Sequence, residues 1–122
     1  MNLYDSVVDY VESQYGTTAD FPFEDDNVTA VFRHASSSKW YALIMRIPYS
    51  KLDKSKEESG YVINLKCDPF VADSLVSTVE GIYPAYHMNH RLWISVLLDG
   101  TVSIEEVCKL IDLSYDLTKG KR

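Results

Sequence analysis

The chain has 122 residues, of which 46% are apolar and 25% charged, and its 18 acids against 12 Lys and Arg give a formal net charge of −6. These proportions exclude disordered and fibrous classes, and the length predicts one domain, residues 1–122, burying roughly two-thirds of the surface its unfolded chain exposes. The acidity opposes a polyanionic partner, but unevenly: residues 1–27 hold seven acids and no Lys or Arg, whereas residues 28–66 hold seven bases against three acids.

In chain order, Leu3, Tyr4, Val7, Val8, Val11 and Tyr15 recur at helical spacing, and Gly16 stands where a C-terminal cap belongs. Residues 17–27 read as a loop, with Phe21 and Phe23 expected to pin it to the core. Its cluster Glu24-Asp25-Asp26-Asn27 lacks the alternating ligands and turning glycine of a calcium loop. Val28 to His34 and Lys39 to Ile47 are β-branched and aromatic segments joined by Ala35-Ser36-Ser37-Ser38, which predicts an antiparallel hairpin. Alternation places Trp40, Ala42 and Ile44 on one face of the second strand and Tyr41, Leu43, Met45 and Ile47 on the other. Both faces are apolar, so the strand should be central.

Pro48 to Ser59 reads as an exposed, charged excursion without an element of its own, ended by Gly60. A third strand follows over Tyr61 to Lys66, its wetter face carrying Asn64 and Lys66 outward. Asp68-Pro69 starts a short helix whose apolar side is Phe70, Val71, Leu75 and Val79. Leu92 to Leu98 forms the fourth strand, and Asp99-Gly100 turns into Ser103-Ile104-Glu105-Glu106, a capping box. Ile104, Val107, Cys108, Ile111 and Tyr115 then mark a last helix, with Leu110, Leu113 and Leu117 widening its stripe.

Cys67 and Cys108 belong to no Cys-x-x-Cys pair and read as two buried free thiols. The N-terminal residues lack the leader of a signal peptide, and no apolar run approaches the roughly 20 residues that span a bilayer. A cytoplasmic location without a membrane partner is expected.

The densest functional chemistry lies between Pro84 and Trp93, where two imidazoles, an amide, a guanidinium and two aromatics meet on one loop-to-strand junction. Tyr86, His87, Asn89, Arg91 and Trp93 offer ring faces, hydrogen-bond edges and a cation, the equipment of a nucleic-acid reader or a small-anion pocket. Lys39, Arg46 and Lys66 on neighbouring strands add phosphate contacts if they share that face. The competing structural reading is a buried Trp93 packed on a helix, with His87 and Asn89 bonding loop carbonyls. His87 and His90 lack a Cys, Asp or Glu nearby to complete a metal set. No nucleophile elbow, phosphate loop or glycine fingerprint supports an enzyme, and no cofactor is expected.

The strings Phe21-Pro22-Phe23, Leu65-Lys66-Cys67-Asp68-Pro69, Tyr83-Pro84-Ala85-Tyr86-His87-Met88-Asn89, Trp93-Ile94-Ser95-Val96 and Ser114-Tyr115, with the aromatic strand after Lys39, span nearly the whole chain. In them the sequence resembles the MmcQ/YjbR family. That resemblance implies a frataxin/CyaY-like α+β sandwich: an antiparallel sheet of four or more strands, with N-terminal, middle and C-terminal helices packed mainly on one face. It also implies double-wing DNA binding without catalysis, a protein- or small-ligand-binding module using the 84–93 loop being the alternative. The family commonly has Gly at Ala85, Lys at His90, His at Leu92 and Gly at Glu24. Ala85 suggests that a positive φ is either unnecessary there or strained, and His90 and Glu24 subtract basic character.

Overall fold

The computed structural model describes residues 2–22 and 29–119. Helix α1 spans Tyr4–Tyr15, burying Val7 and Val11, and ends as its spacing predicts: Gly16 adopts φ 69° and donates its N–H to Glu12 O at 3.0 Å. Strands β1 (Ala30–Arg33) and β2 (Trp40–Pro48) form the expected hairpin, and β3 (Ser59–Lys66), α2 (Pro69–Thr78), β4 (Ile82–Pro84), β5 (Trp93–Leu97) and α3 (Ile104–Thr118) follow. The strands make one antiparallel sheet in the order β1-β2-β3-β5-β4. The fold is therefore α+β, with one sheet face packed against all three helices. The short β4, which the sequence does not announce, pairs with β5 and begins the 84–93 segment.

Each helix start has its own chemistry. Asp68 accepts from Phe70 N at 2.9 Å ahead of Pro69, and Ser103 Oγ accepts from Glu106 N at 3.2 Å. Both helices nevertheless turn differently from the expected stripe. In α2 the buried side is Ala72, with Leu75, Val76 and Val79, whereas Phe70 is 86% exposed and Val71 is also exposed. In α3 the buried positions are Val107, Leu110, Ile111, Ser114 and Thr118, which leaves Leu113 and Leu117 exposed. Two hydroxyls take the place of leucines because polar groups lie beneath them, strand backbone under Ser114 and the His34 imidazole under Thr118.

The reason lies in β2. Phe32 pairs with Ala42 but Arg33 with Trp40, so Tyr41 is an extra residue, a β-bulge. The bulge reverses the expected alternation: Tyr41 joins Ala42 and Ile44 under the helices, while Trp40 packs with Leu43, Met45 and Ile47 on the opposite face. Beyond Ala42 opposite Leu65 the β2–β3 pairing stops. Ser114 Oγ fills the gap, donating to Tyr41 O at 2.6 Å and accepting from Lys66 N at 2.9 Å. Around this point Tyr15 stacks on Tyr115 at 3.8 Å, and the buried His34 lies 4.2 Å from Tyr115. Thr118 Oγ1 donates to Ser114 O and so accepts from His34 Nε2 at 2.7 Å, which fixes the neutral tautomer.

Asp112 on α3 accepts from Tyr10 Oη at 2.7 Å and from Tyr15 Oη, clasping α1. Burial and that carboxylate push the Tyr10 phenol up to about 12.

The opposite sheet face is covered by connections rather than helices. Tyr49 is buried and donates to Tyr61 O at 3.1 Å, and Leu52, Tyr83, Tyr86 and Met88 pack beside it. The excursion is thus anchored, containing a 3₁₀ turn at Tyr49–Lys51, and its last two residues, Ser59 and Gly60, already belong to β3. A Cβ on Gly60 would stand 2.3 Å from Tyr49 Oη, so only glycine fits. Asn64, expected to face water, is fully buried beneath the 84–93 segment. Phe21 is 45% exposed and does not pin its loop; Phe23 and the acids at 24–26 lie outside the described residues.

Candidate functional site

The 84–93 segment leaves the sheet at Pro84 and returns at Trp93, and two buried side chains hold it. Ser95 Oγ accepts from Tyr86 N at 2.9 Å and donates to Asn64 Oδ1, while Asn64 Nδ2 donates to Tyr86 O at 3.0 Å. Both backbone groups of Tyr86 are therefore satisfied by side chains from the strands below. Asn89 closes the far end: its Oδ1 accepts from Arg91 N at 2.8 Å and its carbonyl from Trp93 N at 2.9 Å. Asn89 thus ties the loop through an amide, not through the loop carbonyls that the structural reading expected.

His87 is different. It is exposed and stands at φ 62°, a left-handed conformation that costs a non-glycine residue about 1 kcal/mol. The family glycine position, Ala85, is buried without positive φ; the left-handed residue lies two positions later. The His87 ring lies 3.9 Å from that of Tyr86, whose side chain packs on the outer sheet face. A hollow of about 240 Å³ opens here between the excursion and the loop, lined by Lys51, Leu52, Tyr86, His87 and His90. Lys51 was not among the expected site residues, because only the folded excursion brings it to the loop.

A second grouping forms at the strand ends. Register sets Lys66 opposite Trp93, and since Leu65 and Ile94 face the helices, both Lys66 and Trp93 project from the outer face. A hollow of about 310 Å³ is lined there by Lys39, Trp40, Lys66, Trp93, Leu117 and Thr118, with no carboxylate among the described residues. Trp93 is half-buried and packs on neither helix core, contrary to the structural reading. Arg33 lies 5.5 Å from the Trp40 ring centroid while pairing with Asp20 at 3.0 Å. The bulge that turned Trp40 to this face is what sequence alternation could not register.

The remaining cations lie elsewhere. Arg46 opposes Tyr61, five residues before Lys66, which is roughly 17 Å along the sheet. It lines a separate hollow of about 570 Å³ together with Glu58 and Asp99. Arg91, exposed, lines another of about 260 Å³ beside Asp73 of α2. Lys39 and Lys66 thus stand with Trp93, Tyr86 and His87 with Lys51, and Arg46 and Arg91 apart from both.

Nucleophile chemistry finds little support. Ser95 is committed to Asn64 and Tyr86, and burial and then Asp68 push the Cys67 thiol up, away from the reactive thiolate. Cys108, also free, is only half-buried, not buried as expected. Among the described residues no three His, Cys, Asp or Glu side chains gather as a metal site, and no helix is long and apolar enough to cross a membrane.

The chain is similar along most of its length to proteins of several bacteria. It is 38% identical to the uncharacterized protein YyaQ of Bacillus subtilis, covering 94% of this chain and 97% of that one, and 31% identical to YjbR of Escherichia coli over about half of each, 48% and 49%. A crystal structure from Pseudomonas syringae superposes with a TM-score of 0.90 at 43% identity, covering 98% of this chain and all (100%) of the other. The Deinococcus radiodurans protein DR2400 does so with 0.75 at 31%, covering 100% and 83%. The family model for YjbR matches residues 12–117, and the chain belongs to the YjbR family.

Proposed function

We propose that this protein is a cytoplasmic, non-enzymatic DNA-binding member of its family, contacting nucleic acid through Lys39, Lys66 and Trp93 at the strand ends. The supporting observation is the hollow at the strand ends, where two lysines and two indoles share one surface and, among the described residues, no acid lines it. Lysines neutralise phosphates and an indole face accepts a base, in the manner of single-strand and mixed-contact readers. Arg46 is no part of this surface. The test is titration with duplex and single-stranded DNA at two salt concentrations, starting near about 50 mM. Each phosphate neutralised on duplex steepens the slope of log affinity against log salt by about 0.9, so Lys66→Gln should flatten it by that amount. No binding at the lower salt refutes the proposal. The net charge of −6 favours the second reading, a module for a protein or small ligand using the 84–93 loop, which such a null titration would leave standing.

A further inference from the structure

The hollow between the excursion and the 84–90 loop is lined by one lysine and two histidines and, among the described residues, by no carboxylate, in a chain whose net charge is −6. Its walls are built. Leu52 packs on the outer sheet face, Leu52 N and Asp53 N both donate to Tyr49 O at 2.9 Å, and Tyr83 Oη donates to Asp53 Oδ2 at 3.2 Å, so Lys51 rides on an anchored turn. On the other wall Tyr86 is fixed through both backbone groups, and the next residue, His87, is held in left-handed backbone with its ring against the tyrosine. Backbone strain kept at an exposed imidazole, beside a loop already secured by other residues, is the pattern of a positioned ligand group.

We infer that this hollow binds a phosphoryl group, Lys51 supplying the permanent cation and His87 and His90 supplying N–H donors. The site is separate from the Lys39–Lys66–Trp93 surface and does not depend on nucleic-acid contact there. Its volume, about 240 Å³, is several times the ~30 Å³ share of one water and admits a phosphate with the first atoms of an ester. Lys51 and Tyr86 line the hollow with the two imidazoles, and Asp73 and Arg91 share a second hollow with His90. Asp53 is occupied by Ser55 and Tyr83.

Backbone-amide NMR titration of the whole chain with inorganic phosphate, adenosine monophosphate and a single-stranded oligonucleotide, at constant pH and ionic strength, tests this. Expected are shifts centred on residues 51, 87 and 90, and about tenfold loss of affinity in Lys51→Gln. His87→Gly should weaken binding yet raise Tm, because glycine adopts φ 62° freely. Saturation at lower concentration by the monophosphate assigns a small phosphate ester, and by the oligonucleotide a nucleic-acid backbone; either supports the site. No shift at these residues with any of the three, binding indifferent to Lys51→Gln, or a lowered Tm in His87→Gly overturns it. Failure here leaves the strand-end surface untouched, since the two tryptophans of the chain both line that surface and report on it by fluorescence.

Discussion

Ser95→Ala is expected to loosen the 84–93 segment without altering any exposed side chain. Ser95 and Asn64 are both fully buried, and between them they satisfy the N–H and C=O of Tyr86. Removing the hydroxyl leaves Tyr86 N–H without its acceptor and Asn64 Oδ1 without its donor. A buried polar group stripped of its partner costs about 1–3 kcal/mol, so the pair implies a loss of about 2–4 kcal/mol once some water access is allowed. For a domain of this size that is a Tm lower by roughly 8–16 °C and a lower denaturant midpoint at unchanged m-value. Asn64→Ala should cost a similar amount, and the double variant clearly less than the sum, because the two share one network. Amide exchange at Tyr86 should accelerate beyond the global change. Denaturant unfolding of the three variants checks this. A Ser95→Ala protein within about 0.5 kcal/mol of wild type, or strict additivity with Asn64→Ala, refutes the view that these side chains hold the loop.

Three further outcomes follow from the packing. Ser114→Ala removes the hydroxyl that bridges Tyr41 O and Lys66 N, and should cost about 2–4 kcal/mol in denaturant unfolding; a neutral result would mean the strands close the gap themselves. Gly60→Ala places a methyl against the Tyr49 phenol, and overpacking of this kind costs about 1–3 kcal/mol in denaturant unfolding, only partly relieved in the Gly60→Ala/Tyr49→Phe double variant because the ring carbon Cζ also lies 2.8 Å from the added Cβ. Burial, and then Lys119, hold the His34 imidazole below its usual range. Its unfolded form therefore binds protons first, and the stability tied to neutral His34 is present above about pH 6.5 and lost as pH falls toward the lowered folded value. His34→Gln should flatten that part of the stability–pH curve, and equal slopes for the two proteins between about pH 7 and pH 5.5 would refute it.

Local signals were legible wherever one residue's own chemistry decides the matter. Gly16 closes α1, Asp68-Pro69 opens α2, Ser103 caps α3, and the hairpin around residues 35–38 forms between apolar strands as spacing requires. The same is true of Tyr86, His87 and Trp93 as a distinctive segment, since their types and order are properties of the chain alone. Whether a half-polar strand is wet was not legible at Asn64, because water is excluded there by a loop that arrives more than twenty residues later.

By itself the sequence determined the α+β order, the helix ends and the membership of a recognisable family, for these depend on short-range periodicity, capping and motif. The tertiary structure decided which faces those elements show. A single extra residue at Tyr41 exchanged the sides of two aromatics and brought Trp40 beside Lys66 and Trp93. The fold of the excursion brought Lys51 to His87, and roughly 17 Å of sheet separated Arg46 from both groups. A strand reverses its side chains at every residue, so one bulge or one covering loop reassigns a whole surface, and that information resides in pairing rather than in composition.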